Sequence, residues 1–166
     1  NDIFERPLIK SKKEFSEQVL TPGLFYTKIM CGENFLVLSL IKRFAIGGLR
    51  LNNKRSFLED MEFYAHLLLQ PLRCMFIPIR FYAYRKIASS ASHTPKIKNL
   101  ADSFSMCQVF DNCTKLANDK ELHDAYRYNS VMMFYWTLNT ISSEPYYTIR
   151  EEIIKDLNLN ELRKKV

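Results

Sequence analysis

Residues 47–93 read GGLRLNNKRSFLEDMEFYAHLLLQPLRCMFIPIRFYAYRKIASSASH, and this stretch decides the fold. Ser56-Phe57-Leu58-Glu59 has the form of a capping box, in which a serine hydroxyl and a glutamate three residues later satisfy the first free N–H groups of a helix. Leu58, Met61, Ala65, Leu68 and Leu69 then fall on one helical face, and Pro71 ends the run. Residues 74–84 are rich in aromatic and β-branched side chains. Within them Ile79, Phe81 and Ala83 alternate with Arg80, Tyr82 and Tyr84, the period of a half-buried strand, and Pro78 suits an edge or a bulge. Residues 88–95 are small and polar, hence a loop. On the other side, Gly47-Gly48 punctuates the chain, and Leu49-Arg50-Leu51 predicts a short extended piece before a turn at Asn52-Asn53.

Working outward, residues 35–46 are apolar without a clean period, so helix and strand both fit. Ser11-Lys12-Lys13-Glu14 is a second capping box, and Thr21-Pro22-Gly23 reads as a stop signal, so a short helix is expected between them. Downstream, residues 97–116 and 121–141 carry long amphipathic patterns, with Asp119 suited to cap the second. Thr148-Ile149-Arg150-Glu151 is a third capping box, expected to open a terminal helix. The expected fold class is α+β, predominantly helical with a few central strands. Residues 1–166 read as a single domain, with 1–95 as its site-bearing half and 96–166 as a C-terminal helical extension.

The bulk numbers agree with a folded domain. The chain has 166 residues, 47% hydrophobic and 25% charged, with four glycines and six prolines, which disfavours repeats, linkers and disorder. Residues 1–13 lack the apolar core of a signal peptide, and residues 35–46 are too short and too charged to cross a bilayer. The expected location is the cytoplasm, with contact at the inner face of the cell membrane left open. Cys31, Cys74, Cys107 and Cys113 show no metal-site spacing and suit free thiols. The net charge of +6 favours anionic partners. The cations are scattered and no nucleic-acid-binding motif accompanies them, so no nucleic-acid partner is expected.

In its order of features the block resembles the second half of family-two glycosyltransferases of bacteria, in which an LRF…FEDxxF segment is followed by a helix and a strand ending YxYR…S.S. The matching residues are Leu49-Arg50-Leu51, residues 57–63 (FLEDMEF), Tyr82-Ala83-Tyr84-Arg85 and Ser90-Ala91-Ser92. The likeness covers residues 15–94, about half of the chain. It implies the acceptor-side half of a GT-A-type fold followed by C-terminal helices. The implied reaction is transfer of a sugar from a nucleotide-sugar donor to the hydroxyl of a glycan or lipid-linked acceptor, with inversion, in surface polysaccharide synthesis.

The resemblance also assigns roles. Asp60 becomes the catalytic base, because transfer to a hydroxyl needs a carboxylate within hydrogen-bond reach of the acceptor oxygen. Glu59 shapes the site or holds the acceptor. Gly47 and Gly48 fit a glycine-rich loop beside the sugar, Tyr84 a sugar platform, and Arg85 a bidentate contact to the diphosphate. His93 fits a ligand to a divalent manganese or magnesium ion expected in the complete enzyme. Helix electrostatics alone accounts for Glu59, Asp60 and Glu62, since acids in a first turn are favoured by ~0.3–1 kcal/mol each. The family's nucleotide-binding half, with its D-x-D metal motif, has no counterpart in these residues. The other reading is a basic helical binding module for an anionic partner or a membrane surface. Convergence of the candidate residues on one cleft favours the first reading, and clustering of the lysines the second.

Overall fold

The computed structural model describes residues 12–30, 34–79, 82, 97–144, 146–149 and 151. The fold is predominantly helical with one small antiparallel sheet. A 3-10 turn at Lys13–Phe15 leads into strand β1, Val19–Leu20. Helix α1, Pro22–Leu24, continues as a π-helix over Phe25–Met30. A 3-10 turn at Leu36–Leu38, helix α2 (Arg43–Ile46), helix α3 (Glu59–Leu67) and strand β2 (Cys74–Met75) follow. Two long helices, α4 (Ile97–Leu116) and α5 (Lys120–Ile141), and a 3-10 turn at Tyr146–Ile149 complete the described chain.

Helices α4 and α5 match their sequence pattern closely. Asp119 caps α5 by accepting the N–H of Leu122 at 3.1 Å, and its other oxygen accepts the N–H of Gly23 at 3.2 Å. Although burial favours the neutral acid, these bonds and those from Thr21 and Glu121 hold Asp119 below the usual carboxylate range. Gly23 is required here by close approach. A Cβ would lie 2.8 Å from the Leu122 nitrogen and run into the Asp119 carboxylate.

The core joins both parts of the chain. Tyr26, Met30, Phe63, Tyr64, Ala65, Leu67 and Leu68 pack with Met106, Phe110, Cys113, Leu122 and Tyr126 in a single cluster. Tyr126 donates to the Ala65 carbonyl at 2.9 Å and meets Tyr26 edge-on, with 5.2 Å between ring centroids. Cys107 and Cys113 are buried free thiols and Cys74 is a half-buried one. Burial pushes Cys74 and Cys113 up to about 11, so neither is a thiolate at neutral pH. Cys31 lies outside the described residues.

Several local expectations are corrected. Thr21-Pro22-Gly23 opens a helix instead of closing one: the Thr21 hydroxyl accepts the Leu24 N–H at 3.3 Å and Pro22 takes the first helical position. Proline suits that position because its missing N–H would have no partner there. The helix expected before it reduces to one 3-10 turn, after which Glu17 turns left-handed at φ 61°. Residues 35–46 settle into two short helical turns. Among the described residues of the strand expected over 74–84, pairing is seen at Cys74–Met75, against Val19–Leu20, with a bridge from Phe76 to Ser16. Pro78 has no N–H to continue a ladder, and Ile77 and Ile79 are exposed. Residues 80, 81, 83 and 84 lie outside the described residues, as does the expected helix after residue 151. Among the described residues, residues 49–51 pair with no strand and no helix is long and apolar enough to cross a membrane.

Candidate functional site

The start of α3 is not the expected capping box. Its N-cap is Leu58, in the left-handed region at φ 64° with no side-chain cap, so Glu59 and Asp60 are the first two helical residues. A non-glycine residue in that region costs on the order of 1–2 kcal/mol, and such strain persists only where surrounding contacts enforce it. The enforcing contacts come from α4. The Asp102 carboxylate accepts the backbone N–H of Ser56 at 3.0 Å, that of Phe57 at 3.1 Å and the Ser56 hydroxyl at 3.3 Å. Ser56 is thus engaged by a charged acceptor from another helix, and Glu59 has no capping partner there.

Arg55 completes the clamp. Its guanidinium donates to the Asp102 carbonyl at 2.5 Å and forms an ion pair with Glu62 on α3. The Arg55 side chain is 6% exposed and that of Glu62 15%, so water screens this pair weakly. Asn52 adds its amide to the Glu62 carboxylate at 3.2 Å.

Asp60 is held from the other side. Its Oδ2 accepts the Leu36 N–H at 3.1 Å, the bond that fixes the 3-10 turn over the start of α3. Its Oδ1 has no hydrogen bond among the described residues. Burial raises the Asp60 carboxyl above the usual range; the Leu36 bond opposes this and the neighbouring Glu59 charge adds to it. One turn on, the Tyr64 hydroxyl is buried near Ser39 and Asp60 and lacks a hydrogen bond of normal geometry. The arrangement is a carboxylate partly withdrawn from water, fixed by one oxygen and without a hydrogen bond at the other among the described residues, with a phenol beside it. Such a group accepts a proton from a hydroxyl brought to Oδ1.

The described residues also form an open cavity of about 210 Å³. It is lined by Asn34 and Met61, close chain neighbours of Leu36 and Asp60, by Tyr26 and Phe110, and by Asn129, Met132, Met133 and Trp136 of α5. The Asn129 amide donates to the Tyr26 hydroxyl at 2.5 Å.

The structure brings Glu59 and Asp60 together at one helix start. Gly47 and Gly48 are exposed in the turn after α2, where Gly47 adopts φ 53° and a Cβ on Gly48 would stand in open space. That turn meets the core through Ile46 and Leu49. Tyr84, Arg85 and His93 lie outside the described residues. Among the described residues no group of three or more His, Cys, Asp or Glu side chains forms a metal cradle. Sequence reasoning missed Leu36, Tyr64 and Asp102, and the left-handed turn at Leu58. Only Tyr64 carried a signal, its four-residue spacing from Asp60 on a helix.

No protein-family model, no curated protein and no solved structure matches this chain.

Proposed function

We propose that this chain is the acceptor-side half of an inverting, nucleotide-sugar-dependent glycosyltransferase, with Asp60 as the base. The observation that carries the reading is the Asp60 carboxylate, anchored through Oδ2 to the Leu36 N–H, with no hydrogen bond at Oδ1 among the described residues. In the proposed step the acceptor hydroxyl gives its proton to Oδ1 as its oxygen attacks the anomeric carbon. The bond from that carbon to the donor phosphate breaks, and the nucleoside diphosphate leaves with the electron pair. A carboxyl raised by burial is a stronger base once ionised, which favours this transfer. Glu59 remains the proposed second carboxylate. Tyr84, Arg85, His93 and a divalent ion remain part of the proposal for the complete enzyme, together with a nucleotide-binding half.

The test is Asp60→Asn in the full gene product, assayed for release of nucleoside diphosphate from UDP- and GDP-sugar donors. The amide keeps the Leu36 bond and the side-chain size but takes up no proton. A loss of about 10²–10⁴-fold is expected, the usual worth of a general base. Activity within threefold of the parent sinks the assignment.

One observation favours the second reading, a module for an anionic surface. Leu40 and Phe44 are 82% and 80% exposed, on either side of exposed Lys42 and Arg43. Sedimentation with anionic but not zwitterionic vesicles, lost in a Lys42→Glu/Arg43→Glu variant, distinguishes it. The transferase reading expects the double variant to keep its activity on a water-soluble acceptor.

A further inference from the structure

Residues 34–58 carry five lysines and arginines and no aspartate or glutamate. The first part of this stretch divides its apolar side chains into two sets. Leu36, Ile41, Ile46 and Leu49 pack against the core, and the Leu36 N–H is tied to Asp60, so the segment is fixed to the folded body. Val37, Leu38, Leu40 and Phe44, which lie between these anchors, stay exposed. Leu40 and Phe44 are the most exposed of them, and Lys42 and Arg43 stand between the two. Both cations are exposed, and neither forms an ion pair with a described residue. Apolar side chains gathered on one exposed segment mark a place where something docks.

The cations decide what docks. Charged side chains are depleted at the centre of a contact between protein surfaces, because a lysine or arginine buried there loses its water. At the boundary of a bilayer the same side chains keep their heads hydrated among the phosphates while their apolar neighbours enter hydrocarbon. An anionic leaflet attracts such cations, and a stretch free of acids adds no repulsion of its own.

We propose that residues 37–44 dock this chain on an anionic bilayer, with Leu40 and Phe44 among the upper acyl chains and Lys42 and Arg43 at the headgroup phosphates. The docking rests on the anionic-surface reading above, whose occupant it names, and it does not require that the chain lack transfer. In a transferase it would leave Asp60 one hydrogen bond from the docked segment.

The full gene product is sedimented with vesicles of equimolar phosphatidylglycerol and phosphatidylcholine, and with vesicles of phosphatidylcholine alone. Binding to the anionic vesicles is expected. Lys42→Glu/Arg43→Glu is expected to weaken it by about 25-fold or more, at about fivefold for each cation near an anionic surface. Leu40→Ser/Phe44→Ser keeps both cations and is expected to weaken it at least about tenfold, the worth of burying one large apolar side chain. All four positions are exposed, so both variants are expected to melt with the parent. Trp136 is the one tryptophan of the sequence, and Phe44→Trp combined with Trp136→Phe moves the reporter into the docked segment. Its fluorescence is expected to be quenched by phospholipids brominated on the upper acyl chain.

Binding that Leu40→Ser/Phe44→Ser leaves unchanged, or a Phe44→Trp signal that brominated chains do not quench, overturns the insertion. Equal binding to phosphatidylcholine alone overturns the choice of an anionic leaflet. Binding of soluble polyglutamate that Lys42→Glu/Arg43→Glu abolishes, with vesicles ignored, overturns the bilayer and leaves the anionic-surface reading standing. A full gene product that binds neither vesicles nor polyglutamate sinks both. Vesicle binding together with nucleoside diphosphate release that Asp60→Asn abolishes removes the module as a rival to transfer and leaves the docking in place.

Discussion

Helices α3 and α5 begin in opposite ways. Helix α5 starts from a residue of its own segment: Asp119 sits in extended backbone at φ −82° and accepts the N–H three residues on. Helix α3 starts from Leu58 in the left-handed region, and the carboxylate that holds the segment before it, Asp102, comes from α4. A start built from local chemistry is cheap and leaves nothing to control. A start held in strain by a distant side chain fixes the next two residues, Glu59 and Asp60, relative to the rest of the core. The carboxylates proposed for chemistry stand at the second kind of start, where strain is commonly stored near function.

The largest stability effect expected is at the locally capped end. Gly23→Ala forces a methyl group into the Asp119 carboxylate and is expected to cost about 2–3 kcal/mol, as overpacking does, read from urea denaturation. A loss below 0.5 kcal/mol would mean that α1 and α5 do not meet as described.

Asp102→Ala comes next, at about 2 kcal/mol, because two backbone N–H groups and a hydroxyl lose a charged acceptor. Asp119→Ala, by comparison, removes an ordinary cap at about 1 kcal/mol. The pair sharpens the contrast when transfer is measured in the full gene product. Asp102→Ala is expected to lower it tenfold or more by misplacing Asp60, whereas Asp119→Ala leaves it within threefold. Equal effects on transfer would dissolve the distinction between the two helix starts.

Ser56→Ala is expected to cost under about 0.5 kcal/mol. The Ser56 hydroxyl makes one long bond to Asp102 while its N–H, which alanine keeps, makes the shorter one. A loss of 1 kcal/mol or more would restore the serine as a true cap.

The pH dependence gives the smallest effect and opposite signs at the two starts. Asp119 is depressed in the folded state, so its contribution is present above the unfolded value of about 3.9 and is lost as pH falls through the folded value. Asp60 is raised, so its contribution is present below about 3.9 and is lost as pH rises through the folded value. Melting temperatures from pH 3 to 7 are therefore expected to rise for Asp60→Asn relative to the parent and to fall for Asp119→Asn. Parallel trends would contradict the burial that sets Asp60 apart.

The two long helices could be read from residues alone, to within a residue at each end, because period and cap are properties of neighbours in sequence. Met106, Phe110 and Cys113 of α4 and Leu122 and Tyr126 of α5 recur at helical spacing and are all buried. Asp119 could be named as a cap because its partner lies three residues away. The same local rules misread residues 11–23 and 56–59. There Ser, Thr and Glu stand at cap-like spacing, but Pro22 makes Thr21 a beginning, and Asp102 takes the N–H groups of Ser56 and Phe57. Sequence determined that a helix starts near Glu59 and Asp60, because acids in a first turn and an aliphatic face behind them suffice for that, although its capping box put the start two residues early. Only the tertiary structure decided how that helix is held and what surrounds Asp60. Leu36 lies 24 residues from Asp60 and Asp102 lies 46 from Ser56, and no local pattern encodes a contact between residues that only packing brings together.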